Sequence, residues 1–280
     1  MSSNSPVVIV TGCSKGGIGF ALCEEFAAKG CKVYATARRL EAMEGFTREG
    51  IERLKLDVTD DANVEDVIRT VLDQEGRIDV LVNNAAAPCI APLAEMPLDR
   101  VKNIFDTNVF AVLRTVKAVF PHMASRKRGV IVNVGSTAGD IPTPWNGLYS
   151  ATKASMRSVS ESLYMECAPF GIHVVHLNPG GIRSNIANNI RSSFDLPDGS
   201  LYKPFLDPMI KLIDMSQNGA MPSEEFARRV VKAALRQKPP RYMSMGAASG
   251  IFAFFMWLPR TFVLWLLWKI LVGKVDVDSA

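Results

Sequence analysis

Val7-Val8-Ile9-Val10-Thr11-Gly12-Cys13-Ser14-Lys15-Gly16-Gly17-Ile18-Gly19 is the stretch whose reading decides the fold. Its first four residues are a continuous, β-branched apolar run, which suits a strand buried on both faces of a parallel sheet. Beyond it, Ile18, Leu22, Glu25, Phe26 and Lys29 follow helical spacing, and Gly30 stands where the helix would stop. Strand, glycine-rich turn and helix, in that order, form the context in which a dinucleotide is held. Glycines let the backbone approach a pyrophosphate, and the helix N-terminus offers free N–H groups and positive partial charge. Gly12, Gly17 and Gly19 are the expected set, with Lys15 and Ile18 beside them. An ordinary glycine-rich turn would look the same in isolation; its place between strand and helix favours cofactor binding.

A second strand, 32–36, ends in Ala37-Arg38-Arg39. An NAD(H) site usually carries an acidic residue near this point to hold the ribose 2′-hydroxyl. Here Arg38 and Arg39 offer forked cationic donors for a 2′-phosphate, and Lys15 could join them. NADP(H) is therefore the expected cofactor, the alternative being a solvated basic turn. A third strand, 51–56, leads to Asp57, which either accepts from an adenine amine or caps the helix expected over 62–75. A fourth, 79–82, opens into Asn83-Asn84-Ala85-Ala86. A loop at 88–97 precedes one long helical stretch, 98–123, that contains Asn108. A fifth strand, 130–134, runs into Gly135-Ser136, and a sixth, 172–177, into Asn178-Pro179-Gly180-Gly181. Strands alternating with helices at this spacing predict an α/β fold, a doubly wound parallel sheet of Rossmann type. Ligands in such sheets bind beyond the carboxyl ends of the strands, where all these turns fall.

Tyr149-Ser150-Ala151-Thr152-Lys153 lies between the last two strands, and Met156, Val159, Leu163 and Cys167 extend it as a helix. A tyrosine and a lysine at this spacing stand one above the other. A free phenol titrates near ~10 and an adjacent ammonium favours its ionised form, so the pair is a candidate proton-transfer device.

With 280 residues and 48% hydrophobic content, one substantial core is expected. A net charge of +4, without a Lys/Arg block, argues against nucleic acid as a partner. Five cysteines without a Cys-x-x-Cys pair read as free thiols in a reducing compartment. The polar Met1–Pro6 segment leaves no room for a secretory signal. His122, His173 and His176 lack metal-ligand spacing, so no metal is implied.

The ordered set of motifs resembles the short-chain dehydrogenase/reductase family over about residues 7–184. The resemblance implies that Asn108, Ser136, Tyr149 and Lys153 form a catalytic tetrad for hydride transfer between a nicotinamide and a carbonyl. Ser136 would polarise the ketone and Tyr149 protonate the alkoxide. Lys153 would support the phenol and hold the nicotinamide ribose, and Asn108 would fix a backbone kink or a water. Taken singly, Ser136 also reads as a strand-end cap and Asn108 as a satisfied helix residue. Asn84 aligns with the nicotinamide-side turn, and Ile182 and Ser184 with the segment that touches the carboxamide. Two departures stand out: the glycine loop carries an extra residue, and Ala86 replaces the usual glycine, which would be strained if that position needs φ > 0. Within the family, Tyr34 to Met43 and Lys55-Leu56-Asp57-Val58 are similar to the NADPH-dependent acyl-dihydroxyacetone-phosphate reductases. That likeness implies NADPH, a lipophilic ketone and a membrane or lipid-droplet surface.

The main domain is expected over 6–245, with a substrate lid at about 185–220. In the lid, Arg191, Lys203 and Lys211 either meet an anionic head group or are simply solvated. Residues 246–274 form an apolar helical extension with Trp257, Trp265 and Trp268, interrupted at Pro259-Arg260. The interruption argues against a single span of ~20 residues. A helical hairpin or in-plane anchor fits, with tryptophans at headgroup level and Lys269 and Lys274 snorkelling. The same surface would also serve as a lid or as the interface of a homodimer. The expected protein is an intracellular reductase of a lipophilic substrate, on the cytosolic face of the endoplasmic reticulum or a lipid droplet. Steroid, retinoid or terpenoid ketones are alternative substrates, and a non-catalytic NADP-binding protein of lipid surfaces is the alternative of another class.

Overall fold

The structure is a computed structural model that describes residues 5–215 and 217–275; the start of the Met1–Pro6 segment, and with it part of the reading about a signal, lies outside the described residues. β1 (Val7–Thr11) is buried at every residue, as its unbroken apolar run requires. It pairs with β2 (Lys32–Ala37) on one side and β4 (Val80–Asn83) on the other. With β3 (Ile51–Lys55), β5 (Gly129–Val134), β6 (Ile172–Pro179) and β7 (Tyr242–Met245), the seven strands run parallel in the order β3-β2-β1-β4-β5-β6-β7. The order reverses between β1 and β4, which opens a crevice at the carboxyl ends of those strands.

Two apolar layers cover the sheet. On one face, α1 (Ile18–Ala28) and α8 (Ser223–Ala234) bury Leu22, Phe26, Phe226 and Val230 against β1, β2 and β5. On the other, α2 (Asp61–Glu75), α4 (Ala111–Ser125) and α5 (Gly147–Cys167) bury Val67, Val71, Val116, Val119 and Met156. Asp60, not Asp57, caps α2 by accepting from Asn63 N at 3.0 Å, which overturns the capping alternative for Asp57.

A polar rung crosses this second layer. Asn83 pairs in register with Asn133, and Asn133 with His176, so all three stand at one level of β4, β5 and β6. Asn83 donates to Asn133 Oδ1 (2.9 Å) and accepts from Thr115 Oγ1 (2.7 Å). Asn133 donates to Ser160 Oγ (3.0 Å), which also lies 3.3 Å from His176 Nδ1.

Two elements differ from expectation. The predicted long helix is α3 (Leu98–Phe105) and α4 joined by a π-helical stretch, Asp106–Phe110, that contains Asn108. The strand β7 was not anticipated: Tyr-Met-Ser-Met is half-exposed and lacks β-branched residues.

After β6 the segment expected to be the lid forms α6 (Ile186–Ser193) and α7 (Leu206–Met215). The apolar extension forms α9 (Ser249–Phe255) and α10 (Arg260–Leu271), separated at Pro259. Val263 and Leu267 bury against Ile141, Phe252, Phe255 and Leu258, and Arg260 Nη1 donates to Asp140 O at 2.8 Å. The outer faces leave Phe254, Phe262, Trp265 and Ile270 exposed, and Trp257 is 89% exposed. Among the described residues, no helix is long and apolar enough to cross a membrane.

Candidate active site

The glycine loop is pinned to the end of β2: Cys13 N donates to Thr36 O at 2.9 Å and Lys15 N to Ala42 O at 2.8 Å. Gly12 has φ +73, and a Cβ there would lie 2.7 Å from Ala85 Cα, so only glycine fits. Gly17 precedes α1 in extended conformation without a side-chain cap, which leaves first-turn N–H groups for a ligand. Ile18 opens α1 and packs on the core. A Cβ at Gly19 would stand 2.6 Å from both Asn84 Nδ2 and Gly12 O. The cradle therefore fits a pyrophosphate. The extra residue in the loop is accommodated by a left-handed Gly16, against which Asn185 is packed; Asn185 Nδ2 donates to Lys15 O at 2.8 Å. The sequence reading missed both residues, because that contact joins positions 170 apart.

Arg38 and Arg39 stand exposed just beyond β2, with Lys15 exposed on the loop pinned beside them. Arg39 Nε is 3.9 Å from Glu41, a loose pair that leaves its charge available. Asp57 accepts from Thr59 N and Oγ1, and these bonds, with help from the charge of Arg38, hold its carboxyl below the usual range. Asn84 spends its side-chain amide on Thr11 O (2.8 Å) and Gly12 O (3.0 Å), so it ties the β4 turn to the glycine loop. Ala86 is not among the residues with positive φ, and the feared strain is absent there.

Ser136 follows β5 in extended conformation and accepts from Ala138 N at 3.2 Å. Tyr149 stands in the first turn of α5, and the nearby Ser136 hydroxyl favours its ionised form. Burial pushes its phenol up to about 12, and the Ser136 hydroxyl opposes this only in part. Lys153 lies one turn further on, 3% exposed, with Nζ donating to Val134 O at 2.7 Å and 5.6 Å from the Tyr149 ring centre. Burial lowers its ammonium to about 8. The expected acidification of the phenol by Lys153 is thus not seen. Desolvation acts on both groups, and the ammonium is directed to a backbone carbonyl instead.

Asn108 sits in the π-helical stretch. Its Oδ1 accepts from Ala87 N (2.7 Å), and its Nδ2 donates to Ala87 O (3.0 Å) and to Thr152 Oγ1 (3.0 Å). It anchors the π-helical stretch and fastens the β4 loop to α5 beside Lys153. Ile182 is 4% exposed in the core, bridged to Met221, while Ser184 N donates to Gln217 Oε1 at 3.0 Å. His176 is held neutral, its pKa brought down to about 4 by burial and then by the charge of Lys153. Trp145, just ahead of α5, has φ 58, a left-handed backbone that costs a bulky L-residue about 1–2 kcal/mol. The structure thus gathers Ser136, Tyr149, Lys153 and Asn108 around the start of α5, with the glycine loop across the β1/β4 crevice.

A model of the short chain dehydrogenase family matches residues 6–194. An NADPH-dependent 1-acyldihydroxyacetone phosphate reductase of Schizosaccharomyces pombe is 39% identical over 223 residues, covering 78% of this chain and 73% of that protein. A short-chain dehydrogenase of Hypocrea virens is 34% identical over 91% of this chain and 88% of its own. A solved short-chain dehydrogenase from Streptomyces avermitilis superposes with a TM-score of 0.79 at 29% identity, over 96% of this chain and 97% of that one. The parallel sheet agrees with these matches, and the chain belongs to the short-chain dehydrogenase family of nicotinamide-dependent oxidoreductases.

Proposed function

We propose that this protein is an NADPH-dependent reductase of a lipophilic ketone, with an acyl-dihydroxyacetone-phosphate-type lipid as substrate. The observation that carries the reading is Lys153, buried one turn below Tyr149 with its ammonium held at the end of β5, the strand that leads directly to Ser136. The Ser136 hydroxyl donates to the substrate carbonyl and polarises it. Tyr149, whose raised pKa keeps it protonated at neutral pH, donates its proton to the oxygen as alkoxide character develops. Lys153 holds a positive charge beneath the phenol, and Asn108 keeps α5 and the Ala87 turn in register. Gly12, Gly17, Gly19 and the first turn of α1 would hold the pyrophosphate, and Lys15, Arg38 and Arg39 the 2′-phosphate. When bound, NADPH supplies the hydride.

The apolar outer faces of α9 and α10, with Lys269 Nζ 4.3 Å over the Trp265 ring, support an in-plane contact with a lipid surface. The similarity to the fission-yeast reductase supports both the phosphate-bearing lipid and NADPH. One observation favours a second reading, a neutral ketone such as a steroid, retinoid or terpenoid: Arg191 is paired with Asp214, so only Lys203 and Lys211 of the three lid cations remain for a head group.

The test is oxidation of NADPH and of NADH by purified protein against panels of acyl-dihydroxyacetone phosphate, steroids and retinal. Preferred turnover of the phosphate-bearing lipid with NADPH is expected. Turnover of neutral ketones alone selects the second reading, and no turnover of any carbonyl overturns both.

A further inference from the structure

Trp145, Phe205 and Trp268 lie in three segments far apart in the chain, yet their rings form a triangle. The centroids are 5.9 Å apart for Trp145–Phe205, 6.2 Å for Trp145–Trp268 and 6.1 Å for Phe205–Trp268. Trp145 stands on the turn between Ser136 and α5, Phe205 on the lid just ahead of α7, and Trp268 on α10. Left-handed backbone at a tryptophan persists only where the surroundings over-determine it. Here the residue is 8% exposed, its carbonyl accepts from Ala91 N at 2.8 Å, and Phe205 and the half-exposed Trp268 pack on its ring. The same C-terminal helix also grips the other end of the turn, through Arg260 to Asp140 O and through Val263 and Leu267 to Ile141. Asn146 ends the turn, and Tyr149 is the third residue of the helix that starts next.

We propose that Trp268 is a positioning residue for the reaction: through Trp145 and Phe205 it holds the strained turn that launches α5, and so sets Tyr149 and the lid together. The kinetic consequence rests on the reductase reading above; the structural one does not.

The experiment compares Trp268→Ala, Trp268→Phe, Trp145→Gly and the double variant Trp145→Gly/Trp268→Ala in the full chain. Glycine adopts the turn's φ freely, so Trp145→Gly removes the ring and keeps the backbone. Hydrogen exchange should rise about tenfold or more over 141–147 and over the lid helices in Trp268→Ala, with β1 and α1 unchanged. For a ketone that the protein reduces, kcat should fall about tenfold or more while the NADPH dissociation constant holds, and Trp268→Phe should recover most of the loss. The effects of Trp145→Gly and Trp268→Ala should not multiply, because both remove one contact. Unchanged exchange in the turn and lid, or effects that multiply independently, would overturn the proposal. If Trp268→Ala does not fold, Trp268→Leu carries the same comparison. A wild-type protein that reduces no carbonyl would sink the reductase reading alone, and the exchange comparison would still decide this one.

Discussion

The ammonium of Lys153 is held 2.7 Å from the carbonyl oxygen of Val134, the last residue of β5. One strand end thus fixes the cation and, two residues later, supplies Ser136. The charge stays beneath the Tyr149 ring and is directed to a backbone carbonyl, not to the phenol.

Tyr149→Phe removes the proton donor and keeps the ring. NADPH oxidation should fall by about 10²–10⁴-fold, while NADPH binding, read by fluorescence titration, stays within a few fold of wild type. A variant that retains full turnover removes Tyr149 from the mechanism.

The pH profile of kcat/KM should bend at Lys153. Its ammonium is the form present below about 8, and it is lost as pH rises through that value, whereas Tyr149 keeps its proton to about 12. Activity should therefore be level below about pH 8 and decline above it. In Lys153→Arg the guanidinium stays charged throughout, so the alkaline decline should vanish, whatever the height of the plateau. An identical decline in that variant assigns it to another group.

Arg38→Ala should weaken NADPH binding about tenfold to hundredfold, the worth of a charge-assisted bond of about 1.5–3 kcal/mol. NADH binding should change little, and the ratio of the two dissociation constants is the measurement. Equal loss for both nucleotides would mean that the arginine supports the loop and does not read the 2′-phosphate.

Asn108→Ala leaves Ala87 N and Ala87 O without their partner and takes from Thr152 Oγ1 the bond it accepts, leaving only the one it donates to Tyr149 O. Stability should drop by about 1–3 kcal/mol, seen in chemical denaturation, with a loss of turnover as the β4 loop and α5 come apart. An unchanged denaturation midpoint would mean that water replaces the amide at no cost.

Trp257→Ser should lower affinity for phospholipid vesicles about tenfold, since burying such a ring is worth about 1.5–3 kcal/mol. The thermal midpoint should not move, because the side chain is 89% exposed. Equal sedimentation of variant and wild type with vesicles would remove this tryptophan from the lipid contact.

How much of this was legible in the sequence differed by element. The strand, glycine turn and helix at the N-terminal end were readable because their periodicity and turn chemistry are local. The Tyr149–Lys153 spacing was likewise local. The π-helical stretch at Asn108 was not visible in the local pattern, since it depends on a partner in the Ala87 turn; only the family resemblance implied a kink there. α5 hid its inner face, because Thr152, Lys153 and Ser160 are buried there among the apolar residues that the stripe suggested. β7 escaped notice because its place is set by pairing with β6, as in Leu177 with Met243, and its own residues carry little strand preference. The sequence also offered anchor and lid as rival readings of the apolar extension. In the structure α10 turns one stripe to the active-site turn and the other to solvent.

The row of amides and imidazole across β4, β5 and β6 has a bearing on how the chain finds its structure. Buried, parallel, Val- and Ile-rich strands tolerate sliding past one another, since any apolar neighbour will do. Asn83, Asn133 and His176 do not: a shift by one residue would turn each to the wrong face and strand it unpaired among hydrocarbon, at about 1–3 kcal/mol per orphaned group. The rung therefore favours this one alignment over misthreaded sheets that bury just as much oil.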